Sequence, residues 1–524
     1  MSKLTVGAVI SAGFVAFACS SGPAQKPAPS SGQTAPTTVV TTKPAEAPKR
    51  DNAKAPDGED VLAKVNELNS DKWGPPPVKF KKGHVTRKKS PKVKKTKLGY
   101  EIRFASSARV ATPAVYRGKV YVSGGFQSKE FHAFHATTGK SAWSVGLDDD
   151  GPSSSACDEG ICVFNTESCT VFALDANTGK QKWSWWLGDP QTSSPTIANG
   201  IVFTSYPSHR TANGKPKPPT ASHVLAAFDL KTGKILWQKW LEADVMSAPV
   251  AMNEFVYIST FSGLVAKLEQ KTGKFRYAIQ AKATSAPVVH FLADGVESMY
   301  YTRRGEKEDD GAEEMIIRAD HNDPKTKYKA AKKKAKYIDK KVQATSAHDE
   351  AGEADDSANG FGGGAPAAAN AQAARGMIGK SSVSTIQAFQ GSRVLHFGAV
   401  NVNTMGDEVL ATDSETGSSL WAFKLTGNLA SAGGSLGTAP LAAGQSVVVA
   451  TLSGEVLRMN PTSGKIESRY KVGRPIRSQP VVSDGWIYVG TEDGRLVAIN
   501  TKDKSLTGWP MWGGDAGHTG LAKK

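Results

Sequence analysis

Ala173-Leu174-Asp175-Ala176-Asn177-Thr178-Gly179-Lys180-Gln181-Lys182-Trp183 decides the fold, because this stretch recurs along the chain. A second copy runs from Ala227 to Trp237, with the Asp, the Thr-Gly-Lys and the Trp at the same spacing. Close variants lie at 133–143 and 411–421, weaker ones at 268–277 and 459–465, and degraded ones at 319–323 and 498–504. The sequence therefore contains eight units of a repeat, which indicates a repeat architecture.

Each unit also contains short apolar segments upstream of the quoted stretch. In one unit, Phe255–Ser259 and Leu264–Leu268 flank a Phe-Ser-Gly turn, and Trp486–Gly490 and Arg495–Ile499 repeat this order near the C-terminus. Four short strands in about 40 residues, separated by turns that contain glycine, are typical of one propeller blade. We therefore predict an all-β fold, an eight-bladed β-propeller of four-stranded antiparallel blades over residues 99–515.

The conserved spacing inside the unit predicts a structural role for its glycine and tryptophan. The Thr-Gly-Lys turn joins the third and fourth strands of a blade, where glycine adopts the left-handed conformation and the preceding Asp caps backbone amides. The tryptophan then wedges between neighbouring blades; a ligand cage built from the same rings is the alternative. The predicted docking residues are Trp143, Trp183, Trp237, Trp421, Gly139, Gly179, Gly233 and Gly417.

The unit Ala-x-Asp-x-x-Thr-Gly-x-x-x-Trp resembles the pyrroloquinoline-quinone-type propeller repeat, over about 400 residues. Two classes of protein carry that repeat: quinoprotein dehydrogenases, which hold the quinone (PQQ) and Ca²⁺ on the propeller axis, and lipoproteins of the BamB family. The chain looks like the second class, since it has no adjacent Cys-Cys pair. The resemblance implies a non-enzymatic scaffold without cofactor, which binds proteins during outer-membrane β-barrel assembly; a PQQ- and Ca²⁺-dependent oxidoreductase is the alternative.

The first residues have the features of an export signal. Lys3 precedes an apolar stretch that ends at Ala16-Phe17-Ala18-Cys19, with the length of a secretory signal peptide. This ending resembles the lipobox of bacterial lipoproteins, which implies cleavage after residue 18 and lipidation of Cys19. Ordinary secretory cleavage near Ala18 is the alternative. The residue after the cysteine is Ser20 rather than Asp, which favours the outer membrane, with the protein facing the periplasm of a Gram-negative bacterium.

Residues 19–98 are predicted to be a disordered tether, first rich in Pro and Ala and then rich in Lys. One short helix is expected within 57–73, because Val61, Leu62, Val65 and Leu68 fall on one helical face. The basic run from Lys79 to Lys97 is interpreted either as a contact with lipid headgroups or cell wall, or as a soluble spacer. A sensor or cell-wall-binding propeller is accordingly a third candidate function.

The net charge of +16 does not indicate a nucleic-acid-binding protein once it is divided along the chain. The first 98 residues hold 18 basic and 7 acidic side chains, and residues 322–385 hold 11 basic and 7 acidic ones. The rest holds 36 basic and 35 acidic side chains, so the expected propeller is almost neutral. Nucleic-acid binding needs a basic structured surface, and we do not expect it here.

Two further segments depart from the repeat. Residues 322–385 form a low-complexity insertion, in which Lys329–Lys341 could be helical. Gly99–Phe104 is predicted to be the outermost strand of the last blade, which closes the ring. Residues 516–524 form a C-terminal tail, and His518 is expected to be a capping residue rather than a metal ligand.

Three cysteines other than Cys19 lie close together at 157, 162 and 169. A two-residue hairpin at Glu159-Gly160 would place Cys157 opposite Cys162, at a distance that permits a disulfide, and Cys169 is the competing partner. The sequence has no Gly-x-Ser-x-Gly, Walker or His-Glu-x-x-His motif. We therefore expect no catalytic and no metal-binding residues.

Overall fold

The computed structural model describes residues 58–188, 193–281, 283, 285–291, 297–304, 313–320, 329–334, 394–414, 416–428, 435–515 and 517–519. The first elements in chain order are α1 (Gly58–Leu68), β1 (Val85–Arg87), β2 (Val93–Lys95) and β3 (Gly99–Arg103). The next sixteen are β4 (Ala114–Tyr116), β5 (Lys119–Ser123), β6 (Glu130–His135), β7 (Ser141–Leu147), β8 (Ala156–Asp158), β9 (Ile161–Asn165), β10 (Thr170–Asp175), β11 (Gln181–Trp186), β12 (Thr196–Ala198), β13 (Ile201–Pro207), β14 (His223–Asp229), β15 (Ile235–Leu241), β16 (Val250–Met252), β17 (Phe255–Ser259), β18 (Leu264–Glu269) and β19 (Phe275–Gln280). The remaining strands are β20 (Val288–Phe291), β21 (Glu297–Arg304), β22 (Glu313–Asp320), β23 (Lys329–Lys334), β24 (Val394–Phe397), β25 (Val400–Met405), β26 (Glu408–Asp413), β27 (Ser419–Lys424), β28 (Leu441–Ala443), β29 (Ser446–Ala450), β30 (Glu455–Met459), β31 (Ile466–Lys471), β32 (Val481–Ser483), β33 (Trp486–Gly490) and β34 (Arg495–Asn500).

The strands form an all-β propeller of four-stranded antiparallel blades. Blades 1 to 4 are β4–β7, β8–β11, β12–β15 and β16–β19, and blades 6 and 7 are β24–β27 and β28–β31. Blade 8 combines β32, β33 and β34 from the end of the chain with β3 from its beginning. The strand predicted at Gly99–Phe104 is therefore confirmed as the outermost strand of the last blade.

Eight blades were predicted, but seven are described in full. Seven blades have side chains described in all four strands, whereas the sheet β20–β23, which we call the fifth sheet, has backbone pairing alone in its two outer strands. Lys329–Lys334 forms the outer strand of this sheet and pairs with Glu313–Arg318. The helix considered for Lys329–Lys341 is therefore wrong over β23, and residues 322–328 and 335–385 of the insertion lie outside the described residues.

Neighbouring sheets share apolar cores, because each sheet is packed between two others. Phe131 of blade 1 stacks on Phe164 of blade 2 at a centroid distance of 4.0 Å. The fifth sheet contributes Met299 and Tyr301 to a core with blade 4, and Val288 to a core with Val394 of blade 6. Middle strands are consequently buried on both faces, and all seven residues of β13 are buried.

The prediction of a disordered tether is wrong for residues 58–98, which we call the N-terminal belt. The predicted helix is confirmed as α1, and its Val65 and Leu68 are buried against the outer strands of blades 3 and 4. The belt then passes blades 3, 2, 1 and 8, against the order of the sequence. Residues 1–57, including Cys19 and the signal peptide, lie outside the described residues.

The belt binds the outer edges of these blades mainly through its backbone. The Pro77 carbonyl accepts a hydrogen bond of 2.6 Å from Gln238 on blade 3. Farther along, β1 pairs with β7 and β2 pairs with β3, so that blades 1 and 8 become five-stranded sheets. An outer strand without a partner would expose a row of unpaired backbone groups, and the belt satisfies part of that row.

No helix within the described residues is long and apolar enough to cross a membrane.

Phe80 attaches the belt between blades 2 and 3, which leads to a first prediction. Its ring lies 5.9 Å from Tyr206 and 6.3 Å from Trp185, centroid to centroid. Phe80→Ala should lower the free energy of unfolding by about 2 kcal/mol, because a half-buried ring loses its contacts. Trypsin should then cleave the lysine-rich belt faster than in the wild-type protein.

Val78→Ala is the matched control, since Val78 lies two residues away and is 56% exposed. Denaturant unfolding and trypsin digestion should leave this variant close to wild type. Equal behaviour of the two variants would contradict the anchoring role of Phe80.

Candidate functional site

The motif tryptophans dock blades 1, 2, 3 and 6 onto the blade that follows each of them. All four are buried, at 1–8% exposure. Each indole Nε1 donates a hydrogen bond to a backbone carbonyl in the turn between the third and fourth strands of the following blade. These pairs are Trp143 with Ala176 (3.0 Å), Trp183 with Leu230 (2.8 Å), Trp237 with Gln270 (2.7 Å) and Trp421 with Pro461 (2.8 Å).

The turn glycines face these tryptophan rings across the blade boundary. A Cβ atom placed on Gly233 would lie 2.6 Å from Cδ2 of Trp183, and one on Gly179 would lie 2.7 Å from Cδ2 of Trp143. Gly233 and Gly179 also have φ angles of +70° and +68°, which disfavour any residue with a Cβ. The motif therefore specifies an interlock that joins two blades, and the buried rings have no free face for a ligand.

The Asp and Thr of the motif hold the turn in shape. Asp229 Oδ1 accepts hydrogen bonds from the backbone N–H and the hydroxyl of Thr232, at 2.8 and 2.6 Å. These bonds keep the pKa of the Asp229 carboxyl below its ordinary value. In the blade 6 turn, Gly417 has φ +71° and Asp413 accepts the same bonds from Thr416.

At the closure of the ring a tyrosine replaces the tryptophan, which the sequence reasoning missed. Tyr100 in β3 of blade 8 donates its hydroxyl to the Ala136 carbonyl of blade 1 at 2.7 Å, and its ring faces Gly139. Burial raises the pKa of the Tyr100 hydroxyl, with Tyr488 adding to the effect. The sequence did contain a signal for this exception, because the unit that precedes Gly139 in the ring has no tryptophan to pack against it.

The structure joins Cys157 and Cys162 by a disulfide. These residues lie directly opposite each other in the β8–β9 hairpin, as the two-residue turn predicts, and both are buried. Cys169 is buried and is not part of this disulfide. The bridge therefore stabilises the inner hairpin of blade 2, the part of the blade closest to the propeller axis.

The C-terminal residues 505–519, which we call the axial segment, run along the inner strands of the propeller. The N–H groups of Val482 and Ala251, in the inner strands of blades 8 and 4, donate to the carbonyls of Trp509 and Gly517, each at 2.7 Å. Val115 of blade 1 donates in the same way to Pro510. The inner edges of blades 8, 1 and 4 are thus bound by the protein's own chain, and residues 517–519 are part of this segment rather than of a loose tail.

His518 lies within this segment and has a structural contact. Its Nδ1 is 2.7 Å from the Thr196 hydroxyl, which itself donates to the Pro249 carbonyl, so the Nδ1 N–H donates to Thr196. Its ring also packs edge-on against Trp512, with 4.3 Å between the two ring centroids. Burial lowers the pKa of His518 to about 3, so the imidazole is neutral throughout the physiological range.

The carboxyl group of Glu167, between blades 1 and 2, has a raised pKa, whereas the pKa of His518 is lowered. Burial raises the pKa of Glu167 to about 8, and the charges of Asp150 and Asp149 add to this shift. Asp149 accepts a hydrogen bond of 2.7 Å from the Thr166 hydroxyl. Within the described residues, no group of three or more His, Cys, Asp or Glu side chains could hold a metal ion.

The axial segment binds inner strands around the propeller axis through the carbonyls of Trp509, Pro510 and Gly517. The resemblance to quinoprotein dehydrogenases would place a quinone and Ca²⁺ on this axis. The two bridged cysteines lie in a hairpin of blade 2 and are not adjacent in sequence. No reaction step through such a cofactor follows from this arrangement.

The repeat, its tryptophan interlock and the four-stranded blades define a propeller of the pyrroloquinoline-quinone type. The family described as "Outer membrane protein assembly factor BamB" matches residues 95–289 and 387–510, more than half of the chain. The chain belongs to this family. Among curated proteins, no significant relative of the chain is found.

Solved structures resemble the fold at low sequence identity. BamB from Moraxella catarrhalis is 15% identical with a TM-score of 0.48, and the match covers 79% of this chain and 97% of that one. Quinohemoprotein alcohol dehydrogenase ADHIIG from Pseudomonas putida HK5 is 12% identical with a TM-score of 0.48, covering 87% of this chain and 84% of that one. Similarity at this level does not distinguish a scaffold from an enzyme.

Trp183 and Trp186 provide a matched test of the interlock within one strand. Trp183 is 6% exposed and Trp186 is 42% exposed, and both lie in β11. Trp183→Ala should lower the free energy of unfolding by about 3–5 kcal/mol through lost contacts and a cavity. Trp186→Ala should lower it by less than about 1 kcal/mol, as measured by chemical denaturation. If Trp183→Ala unfolds like the wild-type protein, its ring belongs to a binding surface instead.

Proposed function

We propose that this protein is a lipid-anchored, non-enzymatic periplasmic scaffold that binds proteins during outer-membrane β-barrel assembly. The observation that carries the proposal is the family match over residues 95–289 and 387–510. The partner would be the barrel-inserting subunit of an assembly complex. No cofactor is part of this proposal.

The two chain ends support a scaffold role. The axial segment binds the inner strands through Val115, Ala251 and Val482, and the belt binds the outer strands of several blades. The loops at the two ends of the blades are then the surfaces that remain for a partner. Propellers commonly bind partners through such loops, since loops carry function on a rigid framework.

The lipid anchor is proposed from Ala16-Phe17-Ala18-Cys19. The belt begins at Gly58, so the disordered tether that the sequence predicts stays a prediction for residues 19–57 alone. The lysines of the belt remain exposed, and cell-wall contact through them stays a prediction.

We also propose that the fifth sheet completes an eight-bladed ring. It shares a core with blade 4 through Tyr257 and Met299, and another with blade 6 through Tyr300 and Val394. Tyr257 donates to Glu297 Oε2 at 2.7 Å, and Lys267 forms an ion pair with the same oxygen at 2.7 Å. These contacts join the fifth sheet to blade 4, as the tryptophans join other neighbours.

Co-purification tests the assembly pathway. The full-length protein with a C-terminal tag is isolated from its own cells in mild detergent, and bound proteins are identified by mass spectrometry. We expect the barrel-inserting subunit in stoichiometric amounts. Recovery without any assembly component would remove the pathway from the proposal.

Cys19→Ser tests the anchor, with Ser21→Ala as the matched control. The Cys19 variant should leave the membrane fraction, and the control should stay in it. Membrane association that persists without Cys19 would contradict lipid anchoring.

A further inference from the structure

Four arginines surround the turn between β33 and β34 of blade 8. We call Arg109, Arg474, Arg477 and Arg495 the arginine cluster; the turn contributes Glu492 and Asp493. Arg109 belongs to the connection from blade 8 to blade 1, and Arg474 and Arg477 belong to the connection from blade 7 to blade 8. Three separate chain segments therefore bring their positive charges to one end of blade 8.

Each carboxylate of the turn is shared by two guanidinium groups. Arg109 forms two hydrogen bonds to the two oxygens of Glu492, and Arg477 Nε lies 3.8 Å from Glu492 Oε2. Asp493 Oδ2 accepts from Arg474 Nη1 at 2.6 Å and from Arg495 Nε at 3.0 Å. Glu492 and Asp493 are therefore each held between two arginines that come from different segments of the chain.

The surroundings increase this excess of positive charge. Arg103 lies directly opposite Arg495 in the pairing of β3 with β34 and is exposed. Arg495 also contacts Glu101 at 3.3 Å, and Lys94 lies 3.3 Å from the same carboxylate. Burial lowers the pKa of Arg477, and the charge of Arg109 acts in the same direction while Glu492 opposes it.

The backbone holds the cluster in a fixed arrangement. Phe104 N–H donates to the Gly494 carbonyl at 2.9 Å, and Glu492 N–H donates to the Pro475 carbonyl at 3.0 Å. Gly494 has φ +79°, and a Cβ there would lie 2.5 Å from Cα of Ser107. A preorganised site binds more tightly, because less conformational freedom is lost on binding.

Arg474 is the most accessible member of the cluster. Its side chain is 38% exposed, against 21% for Arg477, 13% for Arg495 and 8% for Arg109. Planar guanidinium groups bind carboxylates with two parallel hydrogen bonds. The near-neutral charge of the remaining propeller sequence argues against a long polyanion such as nucleic acid, which needs an extended basic surface.

We infer that the arginine cluster, together with Arg103, binds an acidic segment of a protein partner, whose carboxylates pair with the exposed guanidinium groups. This inference rests on the scaffold role proposed above, but it does not depend on the assembly pathway.

Peptide binding to the mature full-length protein tests the inference. The probe is a fluorescent hexaglutamate peptide, measured by anisotropy at low salt, with hexaglutamine as the uncharged comparison. We expect hexaglutamate to bind and the double variant Arg103→Glu/Arg474→Glu to bind at least about tenfold more weakly, since two attractive charges are replaced by two repulsive ones. Both positions are exposed, so circular dichroism melting should show an intact fold.

Arg276→Glu is the matched control, because Arg276 is a 49% exposed, ion-paired arginine on blade 4. It should bind hexaglutamate within about twofold of wild type. The inference is overturned if the double variant binds like the wild-type protein, if the control loses as much affinity, or if oligothymidine of equal charge binds more tightly than the peptide. If the assembly complex does not co-purify but the peptide still binds, only the proposed pathway is removed and this inference stands.

Discussion

The contact between an indole ring of one blade and a glycine of the next is the interaction on which the propeller depends. Gly233 brings its backbone against the ring of Trp183, and the indole N–H is satisfied by the Leu230 carbonyl of the same turn. One turn thus contributes both the surface on which the ring stacks and the acceptor for its only polar atom. Since blades contact mainly their neighbours, repetition of this contact holds the ring of blades together.

Both ends of the chain reinforce that ring, from outside and from inside. The belt adds β1 to blade 1 and β2 to blade 8, next to the boundary that Tyr100 closes. The axial segment contacts the inner strands of blades 8, 1 and 4. Sheet edges that would otherwise expose unpaired backbone groups are covered in this way. The partner surfaces that we propose are the ends of the blades, including the arginine cluster.

The repeat made the blades and the interlock predictable, because Trp183 and Gly233 recur at a fixed spacing in the sequence. The Cys157–Cys162 hairpin and helix α1 were predictable for the same reason, since each follows from local spacing. The belt strands β1 and β2 were not, because short lysine-rich segments become strands only when an outer edge offers backbone partners. The lysine-rich strand β23 was missed for the same reason as β1 and β2. Tyr100 was missed because a tyrosine hydroxyl replaces the indole N–H of the motif.

The comparison of Gly233→Ala with Gly118→Ala tests the interlock most directly. Both glycines have almost the same φ, +70° and +71°, but a Cβ on Gly233 would lie 2.6 Å from Trp183 whereas one on Gly118 would meet nothing within 4 Å. The strain of a positive φ is therefore common to both variants, and their difference reports the contact with the ring. Denaturant unfolding should show Gly233→Ala to be less stable than Gly118→Ala by about 1–3 kcal/mol. Equal stability of the two variants would contradict the interlock as the interaction that joins the blades.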